Sequence, residues 1–61
     1  MKELNSVREA AEHTRVSEGW WRQRIAQRRV RFVRIGGRNM IPGSEIERII
    51  QEGTVEPVEK Q

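Results

Sequence analysis

Val33-Arg34-Ile35-Gly36-Gly37-Arg38-Asn39-Met40-Ile41-Pro42 is the stretch whose reading decides the fold. Two short apolar, β-branched runs flank a Gly-Gly pair, and glycine takes φ > 0 with no Cβ penalty. That pattern marks a tight β-hairpin, with strands expected at Phe32–Ile35 and Asn39–Pro42. In this reading Val33, Ile35 and Ile41 face a core, Arg34 points to the other side, and Arg38 sits at the hairpin tip.

Upstream of the hairpin the apolar period changes from strand-like to helix-like. Ser17 is an N-cap candidate, and a helix is expected from Glu18 to about Gln27. At about 100° per residue, Trp21 and Ile25 share one face and belong to the core. The opposite face presents Gly19, Gln23 and Ala26, flanked by Arg22 and Trp20. Further upstream, Ser6 with Glu9 three residues on forms a capping box. It predicts a helix over Val7–His13, with Val7, Ala10 and Ala11 inward and His13 favoured by the dipole at the C-terminus. Thr14-Arg15-Val16 leaves room only for a turn, so the two helices form a helix-turn-helix. Met1–Asn5 reads as a lead-in whose Leu4 staples the helix start.

Downstream, Ser44 with Glu47 three on predicts another N-cap and a helix over Glu45–Gln51, closed by Gly53. Its Ile46, Ile49 and Ile50 fall at i, i+3 and i+4. Residues 54–61, with Pro57 and alternating charges, carry no period and are expected to be a disordered tail. The whole is therefore one domain over residues 1–53: mainly α with a small β-hairpin, a winged helix-turn-helix in the order α-turn-α-β-hairpin-α.

Composition narrows the function. The 61 residues are 34% apolar, which supports a thin core and marginal stability. With no cysteine and a single histidine, His13, neither a disulfide nor a zinc site is expected, and no cofactor. No second histidine, cysteine or paired carboxylate accompanies the basic stretch, so the chain reads as a non-enzyme. No apolar run approaches the ~20 residues of a membrane span, and no signal-peptide pattern opens the sequence; a soluble protein without a membrane partner is expected.

Charge says more than the net +3. Between Gly19 and Ser44 stand Arg22, Arg24, Arg28, Arg29, Arg31, Arg34 and Arg38 with no acidic residue, a block of +7; the remainder is −4. That segregation is the footprint of a polyanion-binding surface on an otherwise acidic body. All seven are arginine, which suits bidentate contacts to phosphate or guanine.

Val16-Ser17 opening a short helix, the string Val33-Arg34-Ile35-Gly36-Gly37-Arg38, then Ile41-Pro42 and Ser44-Glu45-Ile46-Glu47 resemble the small excisionase and MerR-like winged helix-turn-helix family. The likeness spans roughly Ser6 to Ile50. It implies that the second helix enters the major groove of double-stranded DNA while the hairpin wing reaches adjacent backbone or minor groove. It further implies a phage-type excisionase, a recombination directionality factor, acting on DNA in a bacterial cytoplasm with further copies of itself on adjacent sites and an integrase as partner. A small transcription regulator using the same surface is the alternative. The sequence departs from the family pattern at Arg24, where a leucine-type residue is common, and at Gly19 and Trp20, where small or hydroxylated residues are common.

On the expected recognition helix, Ser17, Glu18, Gly19, Trp20, Arg22 and Gln23 form the candidate DNA-facing set. Arg22 and Gln23 are the candidates for base edges, since arginine pairs bidentately with guanine and glutamine with adenine; a phosphate contact by Arg22 stays open. Glu18 favours the helix dipole or accepts from cytosine, and Gly19 lets backbone approach DNA. Trp20 packs on the wing, leans on the sugar-phosphate backbone, or meets a neighbouring molecule. Arg28, Arg29, Arg31, Arg34, Gly37, Arg38 and Asn39 form the wing and backbone set, with Arg38 suited to a narrow minor groove or a phosphate.

Overall fold

A computed structural model describes residues 1–57. Six elements follow in order: β1 (Leu4–Ser6), α1 (Val7–Thr14), α2 (Glu18–Ala26), β2 (Val33–Ile35), β3 (Arg38–Pro42) and α3 (Gly43–Gly53). Three helices surround a small antiparallel sheet with strand order β1-β3-β2. The architecture is a winged helix-turn-helix. Residues 54–57 of the expected tail carry no helix or strand, and residues 58–61 lie outside the described residues.

The capping box forms as the sequence predicts: Ser6 Oγ accepts from the Glu9 N–H at 3.1 Å and Glu9 Oε1 accepts from the Ser6 N–H at 2.8 Å. At the other end of α1, Arg15 turns the chain with φ +61, and the Val16 N–H reaches back to the Ala11 carbonyl. Ser17 caps α2 by accepting from the Trp20 N–H at 3.1 Å. One polar relay ties the two helices together. Trp21 Nε1 donates to Thr14 Oγ1 at 3.1 Å, and that hydroxyl donates to the Ala10 carbonyl at 2.7 Å. The indole is thereby fully buried with its one donor satisfied.

Trp21 is the largest member of a core completed by Ala10, Ala11, Ile25, Val30, Ile41 and Ile46, with Val7, Trp20, Phe32 and Ile49 packed against it. Ile50, expected on the apolar stripe of α3, is exposed.

The hairpin turns where expected. Gly36 and Gly37 have φ of +57 and +79, the two consecutive positive angles of a type I′ turn. Its facing differs from the expectation. The register pairs Val33 with Met40, Arg34 with Asn39 and Ile35 with Arg38. Cross-strand partners share a face and faces alternate along a strand, so Arg34 and Asn39 lie on the side of Ile41, while Val33 and Ile35 lie on the other. Val33 and Ile35 are exposed and Ile41 is fully buried. A two-residue turn sets position 32, not 33 or 35, on the face of Ile41; half-buried Phe32 is the wing residue packed on the core.

Two further expectations give way to tertiary structure. The lead-in is a strand: Leu4 pairs with Pro42, Asn5 with Ile41 and Ser6 with Met40, so Leu4 belongs to the sheet rather than to a helix staple. Asn5 is buried there because its Nδ2 donates to the Lys2 and Ile41 carbonyls. The second correction concerns Ser44, which does not cap α3. The helix begins directly after the strand with Pro42 at the cap position and no side-chain cap, leaving Ser44 already inside the first turn. The Gly43 N–H is satisfied instead by the Glu3 carbonyl at 2.8 Å. A Cβ at Gly43 would stand 2.6 Å from the Lys2 carbonyl oxygen, so β1 and α3 meet only because this residue is glycine.

Candidate nucleic-acid interface

Sheet and α2 together create an open cleft of about 660 Å³. One wall is α2, through Glu18, Arg22 and Ala26; the other is the wing, through Arg34, Arg38 and Asn39; Arg8 of α1 and Arg28 stand at its margins. Five arginines thus meet a single carboxylate, Glu18. Arg34 lies on the cleft side of the wing, and its Nη1 donates to Asn39 Oδ1, its cross-strand partner, at 3.2 Å. Arg38 is exposed just past the turn.

Arg22 is engaged in the free protein: its Nη2 donates to Glu18 Oε1 at 2.8 Å, one turn back on α2. The two side chains are 65% and 40% exposed, and exposed pairs at this spacing are worth only about 0.3–0.5 kcal/mol. The pair preorients Arg22 along α2 and gives way easily to a stronger acceptor. Gln23 is fully available on the outermost side of the helix. Gly19 is also exposed, and a Cβ there would meet nothing closer than Ser17 Oγ at 3.8 Å. The protein's own packing therefore does not demand glycine at this position.

Arg28 deserves its place through backbone geometry. It has φ +58, with its N–H bonded to the Ile25 carbonyl and the Arg29 N–H bonded to the Arg24 carbonyl at 2.9 Å. That is the hydrogen-bond pattern of a Schellman helix end, where glycine is the usual occupant.

Other expected site residues fall elsewhere. Trp20 and Arg29 line a separate groove between α2 and α3, together with Arg24, Val30 and Arg48. There the Trp20 ring meets Trp21 edge-on, centroids 5.2 Å apart, and carries the Arg24 guanidinium 4.3 Å above its centroid. Trp20 packs on its own core and on Arg24 rather than on the wing. Arg31 is exposed and contributes its backbone to the fold: its N–H donates to Glu45 Oε2 at 3.0 Å. Ser17 is occupied as a cap, and Gly37 serves the turn.

Glu45 is the fixed point behind this surface. It is buried on α3, receives the Arg31 N–H, and is clasped by Arg48, which also binds Glu52. The hydrogen bonds from Arg48, and secondarily from the Arg31 backbone, hold its carboxyl below the usual carboxylate range. Lys2, 2.6 Å from Glu9, does the same for the α1 cap: with the Ser6 N–H it lowers Glu9 to about 2.

Sequence reasoning missed two candidates. Arg8 lies outside the acid-free block and reaches the cleft only because α1 crosses beside the wing. Arg24 belongs to the acid-free arginine block but not to the candidate contact sets, and Trp20 one turn before it is the local signal that sets it apart.

A recognition helix held by a short helix-turn-helix, with an arginine-bearing wing across a cleft, defines a DNA-binding class of protein. The match to a family model gives the same answer: the helix-turn-helix domain matches residues 6–54, and the chain belongs to that family, which includes excisionase-like DNA-binding proteins. No curated protein matches the chain, and no solved structure does. Among the described residues, no helix is long and apolar enough to cross a membrane.

Proposed function

We propose that this protein is a sequence-specific, DNA-bending double-stranded DNA-binding protein of the phage excisionase kind, which occupies adjacent sites cooperatively and directs an integrase toward excision. The observation that carries the reading is the cleft between α2 and the wing, with Arg8, Arg22, Arg28, Arg34 and Arg38 around one carboxylate. A helix filling the major groove from this cleft brings the wing arginines to the neighbouring backbone, where the narrowed minor groove concentrates negative potential. Arg22 and Gln23 read base edges; Arg28, Arg34 and Arg38 hold phosphates.

One short helix and one wing read only a short site, so specificity depends on several copies bound side by side or on a partner. That requirement favours an assembly role over a lone reader. Footprinting on DNA flanking the protein's own gene, paired with an excision assay using a neighbouring integrase, tests it. Protection of tandem repeats with stimulated excision is expected. Protection confined to a promoter, without effect on recombination, selects a MerR-like transcription regulator instead.

A further inference from the structure

α2 has two flanks, and the cleft uses only one. Glu18 and Arg22 lie toward the wing; Trp20 and Arg24 lie toward α3. An α-helix is about 10–12 Å across and the major groove about 12 Å wide. A helix seated there presents one flank to each DNA strand. The wing-side flank therefore meets one backbone, and the α3-side flank meets the other.

What stands on that second flank is preorganised. Arg24 lies over the Trp20 ring, 4.3 Å from its centroid, and Trp20 is itself braced edge-on by buried Trp21. Stacking engages the face of a guanidinium and leaves its in-plane N–H donors free, the edge that matches phosphate geometry. It also restricts a side chain that is otherwise free to sample many rotamers. Among the described residues Arg24 forms no ion pair, whereas Arg48 in the same groove is neutralised by Glu45 and Glu52. Arg29, whose N–H bonds the Arg24 carbonyl, adds a second positive charge beside it.

We infer that Arg24, stacked on Trp20, is a phosphate clamp for the DNA strand that the wing does not reach. The clamp rests on the DNA-binding reading above. In it, tryptophan at 20 is the platform and arginine at 24 is the charge it carries.

Binding of the full chain to a short mixed-sequence duplex, followed from about 50 to 200 mM salt, separates the two claims. Arg24→Gln is expected to weaken binding about tenfold, as for one lost hydrogen bond to a charged group, and to flatten the slope of log K against log salt by about one. Arg24→Lys is expected to keep the slope while binding less tightly than wild type. Trp20→Leu, which alters no charge, is expected to weaken binding about two- to fivefold, and adding it to Arg24→Gln to cost nothing more. A single neutral methylphosphonate on the strand opposite the wing contact is expected to erase the difference between wild type and Arg24→Gln. If Arg24→Gln matches wild type in affinity and slope while Arg34→Gln lowers both, the clamp is wrong and the DNA-binding reading stands. If wild type shows no salt-dependent binding to duplex at all, both fall.

Discussion

Arg28 sets backbone strain against the DNA-binding role proposed for it. A non-glycine residue in the left-handed region costs about 1–2 kcal/mol, yet arginine occupies the αL end of α2 and lines the cleft with that side chain. Arg28→Gly is expected to raise the unfolding free energy by about 1 kcal/mol in a urea titration while weakening duplex binding and lowering its salt slope. A stability gain with unchanged binding would reduce Arg28 to an ordinary helix end. Gly19 makes the complementary case. There is space for a Cβ, so Gly19→Ala is expected to stabilise α2 by up to about 1 kcal/mol and to weaken DNA binding if backbone and duplex meet there. The strain at Arg28 was not legible in sequence, since Gln27-Arg28-Arg29 contains no glycine or asparagine to announce a left-handed residue, whereas a glycine at 19 inside a helix did point to a close backbone approach.

Among elements, legibility followed how local the determining interaction is. The Ser6–Glu9 box, the Ser17 cap and the Trp21–Ile25 spacing are settled within one or two helical turns, and α1 and α2 formed accordingly. β1 has three residues and no period of its own; it is a strand because β3 offers an edge. The Ser44 signal lost because α3 begins at Gly43, directly after β3, so that Ser44 is already inside the first turn. The wing's facing lost to register, which Gly36-Gly37 fix but which must be counted across the turn. The loop between α2 and the wing likewise depends on α3, through Glu45. Glu45→Ala leaves the Arg31 N–H without its partner and is expected to cost about 1–3 kcal/mol, with broadened amide signals over residues 28–32. Both Glu45 and Glu9 have folded-state pKa values below the ordinary carboxylate value of 4.5, Glu9 at about 2. Their stabilisation is therefore complete above that value and is lost as pH falls from it toward 2. Thermal melts between pH 7 and pH 2 are expected to show the main loss below about pH 5, with a shallower dependence in Glu9→Gln. A Glu9→Gln variant as acid-sensitive as wild type would remove the Lys2–Glu9–Ser6 contribution from that account.

At the scale of the whole molecule, the block of seven arginines was plain in the sequence, but its partition was not. Four of them, Arg22, Arg28, Arg34 and Arg38, meet in the cleft with Arg8, while Arg24 and Arg29 stand on the α3 side. Bringing so much like charge together around a core of only seven buried apolar residues ties stability to the polyanion. A chain of this length has a total stability of about 3–9 kcal/mol, against which repulsion among unpaired guanidiniums counts directly. A duplex that prefers the folded state adds up to about 2.7 kcal/mol at a hundredfold its Kd. For a domain this small each kcal/mol shifts Tm by about 4–8 °C, so a rise of about 10–20 °C is expected at 50 mM salt. With four to five phosphates neutralised, the affinity falls by two orders of magnitude or more between about 50 and 200 mM salt, and most of the rise is expected to vanish over that interval. Added salt without DNA screens the arginines from one another and is expected to raise Tm slightly. Calorimetry on the free and duplex-bound chain at both salt concentrations reads all of these together. A duplex-induced rise that persists undiminished at high salt would assign the stabilisation to apolar or base contacts and not to the arginine cleft.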